Sequence, residues 1–215
     1  MTDTTYQVSS LSGGISLTPC DENLDNKPDN KYKPHVSIIT MGGTIDKDYP
    51  KLTSGYAFEF GDQSAAERIL KSHPNLGITY SIKSVCKKDS LEINDDDREK
   101  LIREITSILE DRSLPGLPRI VVTHGTDTMI ETAMCVRHSF HDRICKIAFT
   151  GATKPERFVD SDASFNVGCA VAATSSCQPC SVVICMNGNV IPVDSCVRDE
   201  TTGLFRNVDE GVWSY

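Results

Sequence analysis

From residue 35 onward the chain alternates short apolar runs with segments of helical spacing, and that alternation admits few folds. The runs occupy residues 35–40, 78–84, 120–122, 146–150 and 181–186, with helical patterns between them at 65–70, 95–109, 129–140 and 165–173. Strand, helix and strand in repetition build right-handed crossover units, because two parallel neighbours need a connection long enough to return to the same end of the sheet. The expected result is an α/β protein: a flavodoxin-like, doubly wound, mostly parallel five-stranded sheet with helices on both faces. Asn94 ahead of Asp95-Asp96-Asp97 marks one helix start, with a capping side chain and three acids at the positive end of the helix dipole.

The segments outside this alternation read differently. Residues 1–34 are polar and offer little to bury, so they are expected to form a disordered tail, leaving 35–215 as the folded domain. With 215 residues, 39% of them hydrophobic and 24% charged, the chain suits one soluble domain with a sizeable core. A net charge of -8 without a basic stripe argues against nucleic acid or an acidic membrane surface as partner. No apolar stretch approaches the roughly 20 residues that span a bilayer, and the N-terminus lacks a basic segment followed by an apolar one, so the expected location is cytoplasmic.

Nine cysteines without a secretory signal favour reduced thiols over a disulfide framework. Cys135, Cys145, Cys169 and Cys185 fall in apolar runs, where a thiol serves as a small hydrophobe. Cys177-Gln178-Pro179-Cys180 alone has metal or redox spacing. It follows a helical pattern and precedes a strand, the reverse of a thioredoxin-type placement, and a zinc site needs two further ligands. An unremarkable pair of loop thiols is the preferred reading.

The chemistry concentrates at two strand ends. The first apolar run continues as Thr40-Met41-Gly42-Gly43-Thr44-Ile45-Asp46, and the third as Thr123-His124-Gly125-Thr126-Asp127-Thr128. In an open parallel sheet, ligands bind at such ends, where loop amides and helix N-termini converge. Paired glycines let the backbone approach a ligand closely, while Thr126, Asp127 and Thr128 supply two hydroxyls and a carboxylate within three residues. The first loop has neither the lysine of a P-loop nor the third glycine of a dinucleotide fingerprint, so nucleotide binding is disfavoured.

Gly42-Gly43-Thr44-Ile45 together with His124-Gly125-Thr126-Asp127-Thr128-Met129 resembles the two signatures of the bacterial-type L-asparaginase/glutaminase family. The resemblance runs from about His35 to the C-terminus, with Gly151-Ala152-Thr153-Lys154-Pro155, residues 162–166 and Met186-Asn187-Gly188 falling where the family has similar segments. It implies hydrolysis of the side-chain amide of L-asparagine, or of L-glutamine, through a threonine acyl-enzyme, with neither metal nor organic cofactor. Thr44 stands in the place of the nucleophile, and Tyr56, in Ser54-Gly55-Tyr56, in that of the lid tyrosine that assists it; Tyr49 is the competing lid residue. Thr126 and Asp127 match the second threonine and the acid that grips the substrate's α-ammonium. Ser90, in Lys88-Asp89-Ser90-Leu91-Glu92, would meet the substrate's α-carboxylate, with Gly43 and Ala152 as further substrate-binding positions. His124 is expected to position backbone rather than act as a base.

Two departures from the family pattern matter. Counting on from Met186-Asn187, the family's catalytic lysine falls at residue 198, which is Arg198. Arginine keeps the charge but does not give up its proton, so it can stabilise negative charge and hold Asp127 without acting as a base. The family also carries a C-terminal domain that lends an acidic residue to a neighbouring subunit's site. This chain has the look of a short, single-domain form, for which a weaker grip on the substrate ammonium is expected and a homodimer is one open arrangement. Both departures leave a second activity in view, a module that binds asparagine or aspartate with impaired turnover.

Overall fold

A computed structural model of the chain describes residues 6–11, 14–19, 33–48 and 58–208. It divides into two units, Met1–Tyr32 and Lys33–Tyr215. In the first, Tyr6–Leu11 pairs antiparallel with Gly14–Pro19, a hairpin that the polar composition does not announce.

The second unit is built on one sheet. Its strands are β1 (His35–Gly42), β2 (Thr79–Lys88), β3 (Arg119–Thr123), β4 (Lys146–Thr150), β5 (Ser181–Met186) and β6 (Asn189–Pro192), in the order β6-β5-β4-β3-β1-β2. The first five are parallel, in the doubly wound order expected of a flavodoxin-like sheet. The expectation of five strands is corrected to six. β6 runs antiparallel to β5 across the two-residue turn Asn187-Gly188, whose residues both take positive φ, 55° and 80°. Asn-Gly at those angles makes the tight turn whose twist matches paired strands, and it returns the chain at once along the edge of β5.

Helices α1 (Ala65–Lys71), α2 (Asp95–Glu110), α3 (Met129–Ser139) and α4 (Ala163–Ser176) cover both faces. Alternate strand residues separate the two cores. Ile39, Ile120, Val122, Ile147 and Phe149 pack with Leu101 and Ile105 of α2 and with Met129, Ala133 and Val136 of α3. Val36, Ile38, Val121 and Ala148 pack with Ala66 and Leu70 of α1 and with Ala170 and Ala173 of α4. Asn94 caps α2 as its sequence requires: its side chain accepts from the Asp97 amide at 3.1 Å, and the Asp97 carboxylate accepts from the Asn94 amide at 3.2 Å.

The thiols divide differently from expectation. Cys145 and Cys185 are buried, but Cys135 and Cys169 are only partly so, while Cys196, which no apolar run marked, is buried. Burial pushes the Cys177 thiol up, away from the reactive thiolate that a redox motif requires. Among the described residues no group of three or more His, Cys, Asp or Glu is placed to hold a metal ion. No helix among them is long and apolar enough to cross a membrane.

Candidate active site

The chain leaves β1 to form β2 on one side and returns to form β3 on the other, so the order of the sheet reverses between β1 and β3. In open parallel sheets ligands bind in the crevice outside the C-terminal ends of the strands at such a switch point. Both sequence motifs lie there.

The first loop is a 3-10 turn, Thr44–Asp46, entered through Gly43. Gly43 has φ +85°, and a Cβ on it would stand 2.3 Å from the amide nitrogen of Gly125. The two motif loops therefore touch backbone to backbone, a contact closed to any residue with a side chain. Gly125 meets Ser90 in the same way, with 2.6 Å between a hypothetical Cβ and that of Ser90. Thr44 and Thr126 are each one residue beyond a glycine of this contact, and both are half-buried.

Three backbone or near-backbone ties hold the Thr44 turn. The Gly43 amide donates to Lys88 O at 2.8 Å, and the Glu156 amide donates to Ile45 O at 3.2 Å. The Ala65 amide, at the start of α1, donates to Asp46 Oδ1 at 2.6 Å. Ile45 is fully buried in a small cluster with Ala65, Ile69, Ala152, Ala163 and Val167. Ala152, expected at the substrate, is thus packed beneath the turn and is 1% exposed.

On the other side of the crevice Asp127 is the hub. Ser90 Oγ donates to Asp127 Oδ2 at 2.8 Å, and Arg198 Nη1 donates to Asp127 Oδ1 at 3.0 Å. Thr128 Oγ1 donates to Ser90 O at 2.7 Å, which joins the β2 and β3 loops a second time. Ser90 sits in a short turn, Ser90–Glu92, capped by Asp89. Lys47, just beyond the Thr44 turn, pairs with that Asp89 and holds its carboxyl below the usual range. Arg198 arrives from the end of a ribbon formed by Cys196–Arg198 and Phe205–Asn207. Its Nε is buried without a hydrogen-bond partner among the described residues.

Behind the crevice, Asn166 of α4 stitches the β4 and β5 loops together. Its Nδ2 donates to Gly151 O and Asp162 Oδ2, and its Oδ1 accepts from the Asn187 amide. Lys154, a cation near that loop, pairs with Asp160 instead of reaching the crevice residues.

His124 is fully buried, its Nδ1 against Gly125 O at 2.8 Å, and burial lowers its basicity. It props the loop. Tyr56 and Tyr49 lie outside the described residues. Sequence reasoning passed over Asp46, which is 7% exposed and whose carboxyl burial pushes up to about 6. The signal was weak: an acid directly after a hydrophobic residue in a turn does not show which way it points. It also borders a cavity of about 350 Å³ between α1 and the edge strand β2, lined in part by Thr40, Phe60, Tyr80, Ser84 and Lys87.

The family model described as Asparaginase, N-terminal matches residues 35–210. A glutaminase-asparaginase of Acinetobacter glutaminasificans is 27% identical over 177 residues, covering 80% of this chain and 50% of the relative. L-asparaginase 2 of Escherichia coli (strain K12) is 28% identical over 193 residues, covering 85% and 52%. One subunit of a glutamyl-tRNA(Gln) amidotransferase from Haloquadratum walsbyi is 26% identical over 174 residues, covering 81% and 37%. The chain thus spans about half the length of these relatives, or less. Among solved structures, the thermostable L-asparaginase of Thermococcus kodakarensis superposes with a TM-score of 0.69 at 19% identity, covering 80% of this chain and 51% of that one. That likeness establishes a shared fold.

Proposed function

The chain belongs to the asparaginase family, and from that premise we propose that it is an amidohydrolase that releases ammonia from the side-chain amide of L-asparagine. The observation that carries the reading is the meeting of the two Gly-Thr loops, Gly43 against Gly125, at the sheet's switch point, beside a carboxylate held by Ser90 and Arg198. In this mechanism the Thr44 hydroxyl attacks the amide carbon with Tyr56 assisting, and loop amides stabilise the oxyanion. Ammonia leaves, and water hydrolyses the resulting ester to aspartate. Thr126 orients the attacking water or the substrate, and Asp127 takes the α-ammonium.

Arg198 cannot serve as a base, so its role is electrostatic. It neutralises Asp127 between turnovers and stabilises negative charge as it develops. Ser90, whose proton points at Asp127, must turn to meet a substrate carboxylate. Both exchanges of partner cost binding energy, and KM for asparagine is expected to be high for that reason. Glutamine differs from asparagine by one methylene and is the expected weaker substrate. The glutamyl-tRNA(Gln) amidotransferase name borne by some relatives suggests a larger partner, but the net charge of -8 disfavours a nucleic-acid contact. The domain is taken as residues 35–215 with 1–34 as an appended tail, in the cytoplasm, and assembly as a dimer is compatible with the reading.

A specific observation favours a second reading, an amino-acid-binding module without turnover: the cation on Asp127 is the guanidinium of Arg198, where the resemblance calls for a lysine. One experiment separates them. Ammonia release from millimolar asparagine, abolished by Thr44→Ala, supports the enzyme. Calorimetric binding of aspartate with no ammonia from asparagine selects the module.

A further inference from the structure

We propose that Asp46 is a positioning residue for the Thr44 turn, tying it through the Ala65 amide to the N-terminus of α1; as a statement about catalysis this rests on the amidohydrolase reading. Of the turn's three ties, two are main chain to main chain, and the third is the Asp46 carboxylate on the Ala65 amide at 2.6 Å. It is the tie that a side-chain substitution can remove. The Gly43 tie reaches the neighbouring strand β2 and the Ile45 tie the loop after β4, whereas Asp46 fastens the turn to the start of α1.

A carboxylate is suited to this place for two reasons. The first amides of a helix have no partner within the helix, and the dipole concentrates positive potential there. Ser64, the residue capping α1, accepts from the Glu67 amide, which leaves the Ala65 amide to Asp46. An ionised acceptor makes roughly twice the bond of a neutral one, which offsets part of the cost of burying the charge on Asp46.

That charge is adjustable. The carboxyl is almost wholly buried, yet it borders the cavity of about 350 Å³, through which it can exchange a proton with solvent. Burial disfavours its ionised form. Opposing this are the Ala65 amide, Arg68 of α1 and Lys87 of β2, while Glu156 from the loop after β4 adds to the burial effect. Arg68 is itself bonded to Glu156 at 2.6 Å, which damps both contributions. The balance holds the carboxyl at about 6, above its ordinary value. Because the folded turn raises the value, the closed geometry favours the protonated form, and ionisation weakens the tie by leaving a poorly solvated charge beneath the turn. A hydroxyl out of line with its target by an ångström costs on the order of a hundredfold in rate.

The test uses the full chain with Asp46→Asn, which keeps an acceptor without charge, and Asp46→Ala, which removes both. On asparagine, Asp46→Ala should lower kcat by about tenfold or more, with KM changed by less than about threefold. The ratio of wild-type to Asp46→Asn kcat should fall as pH rises from about 5 to about 8, because Asp46 ionises across that range and the asparagine does not. A wild-type kcat in Asp46→Ala, or an unaltered pH profile in Asp46→Asn, overturns the proposal.

Amide hydrogen exchange provides an arm independent of turnover. Exchange at residues 46, 47 and 65 should quicken by about tenfold in Asp46→Ala and by less in Asp46→Asn, with β3 unaffected. Unchanged rates at those amides, or equal acceleration in β3, overturn the tie. If the wild type releases no ammonia, the amidohydrolase reading fails, and the exchange result alone decides whether Asp46 holds the turn. Should Asp46→Ala not fold, the pH dependence of exchange at residue 65 in the wild type and in Asp46→Asn decides the same point.

Discussion

The Thr44 turn and the Arg198 ribbon carry two of the residues on which the proposed chemistry depends, and they are held in opposite ways. The turn is gripped by main-chain bonds at Gly43 and Ile45, by a buried carboxylate, and by a glycine contact that tolerates no side chain. The guanidinium of Arg198 reaches Asp127 from a three-residue strand, in a pair whose side chains remain 34% and 41% exposed. Burial gives the first region a single geometry. Solvent gives the second room to exchange partners, which it needs if a substrate ammonium is to share Asp127. The contrast teaches that the turn carrying the proposed nucleophile is built into the fold, while the proposed charge recognition is left at the surface.

Four substitutions would break or sharpen this contrast. The largest effect is expected from Thr44→Ala, which removes the proposed nucleophile and should cut kcat by about a thousandfold or more, or about 4 kcal/mol on the barrier, with the fold intact. Ammonia release measured beside thermal unfolding checks both halves. Gly43→Ala should cost about 3–4 kcal/mol of stability, combining strain at positive φ with a Cβ driven into Gly125. Urea unfolding reads it, and a loss under about 1 kcal/mol would mean that the loops can part cheaply.

Asp46→Asn comes next, through pH. The carboxyl's folded value of about 6 lies above its ordinary 3.8, so the folded chain holds the proton more tightly than the unfolded one. Its contribution to stability is therefore fully present below about pH 4 and is lost as pH rises through about 6, up to about 3 kcal/mol. Asparagine has no such dependence. Relative to wild type, Asp46→Asn should gain stability between about pH 4 and about pH 6; a difference independent of pH would show that the carboxyl is better solvated than its burial implies. The smallest effect is Arg198→Ala. Half-exposed ion pairs contribute only about 0–1 kcal/mol, so stability should hardly move, while KM and kcat both change. Unchanged kinetics would remove Arg198 from the site.

Much of this architecture is legible in the order of residues alone. Apolar runs alternating with helical spacing specify a parallel sheet, because each strand needs a crossover and each face needs cover. Asn94 with Asp97 spells out a helix start that forms as written. The sixth strand is harder, since Asn187-Gly188 reads equally as a hairpin or as the start of a loop over the crevice until the edge of β5 is known to be free. The cysteines show the limit of local reading: Cys135 falls in an apolar run but on a helix face that solvent reaches, and Cys196 is buried without one.

For the site, residue types and their spacing already place Thr44 and Thr126-Asp127 at strand ends, since loops that follow parallel strands all emerge at one edge of the sheet. What only the tertiary structure decided is who touches whom. Asp127 meets Ser90 and Arg198 from 37 and 71 residues away, and Asp46 meets Ala65 across 19. Such contacts depend on how helices pack and where water is shut out, quantities set by the whole chain. The pattern of hydrophobic and polar residues determines the sheet and the edge where chemistry can occur, because it acts through short-range geometry. The charge state of Asp46 and the pairing of Arg198 follow from burial, which no local pattern encodes.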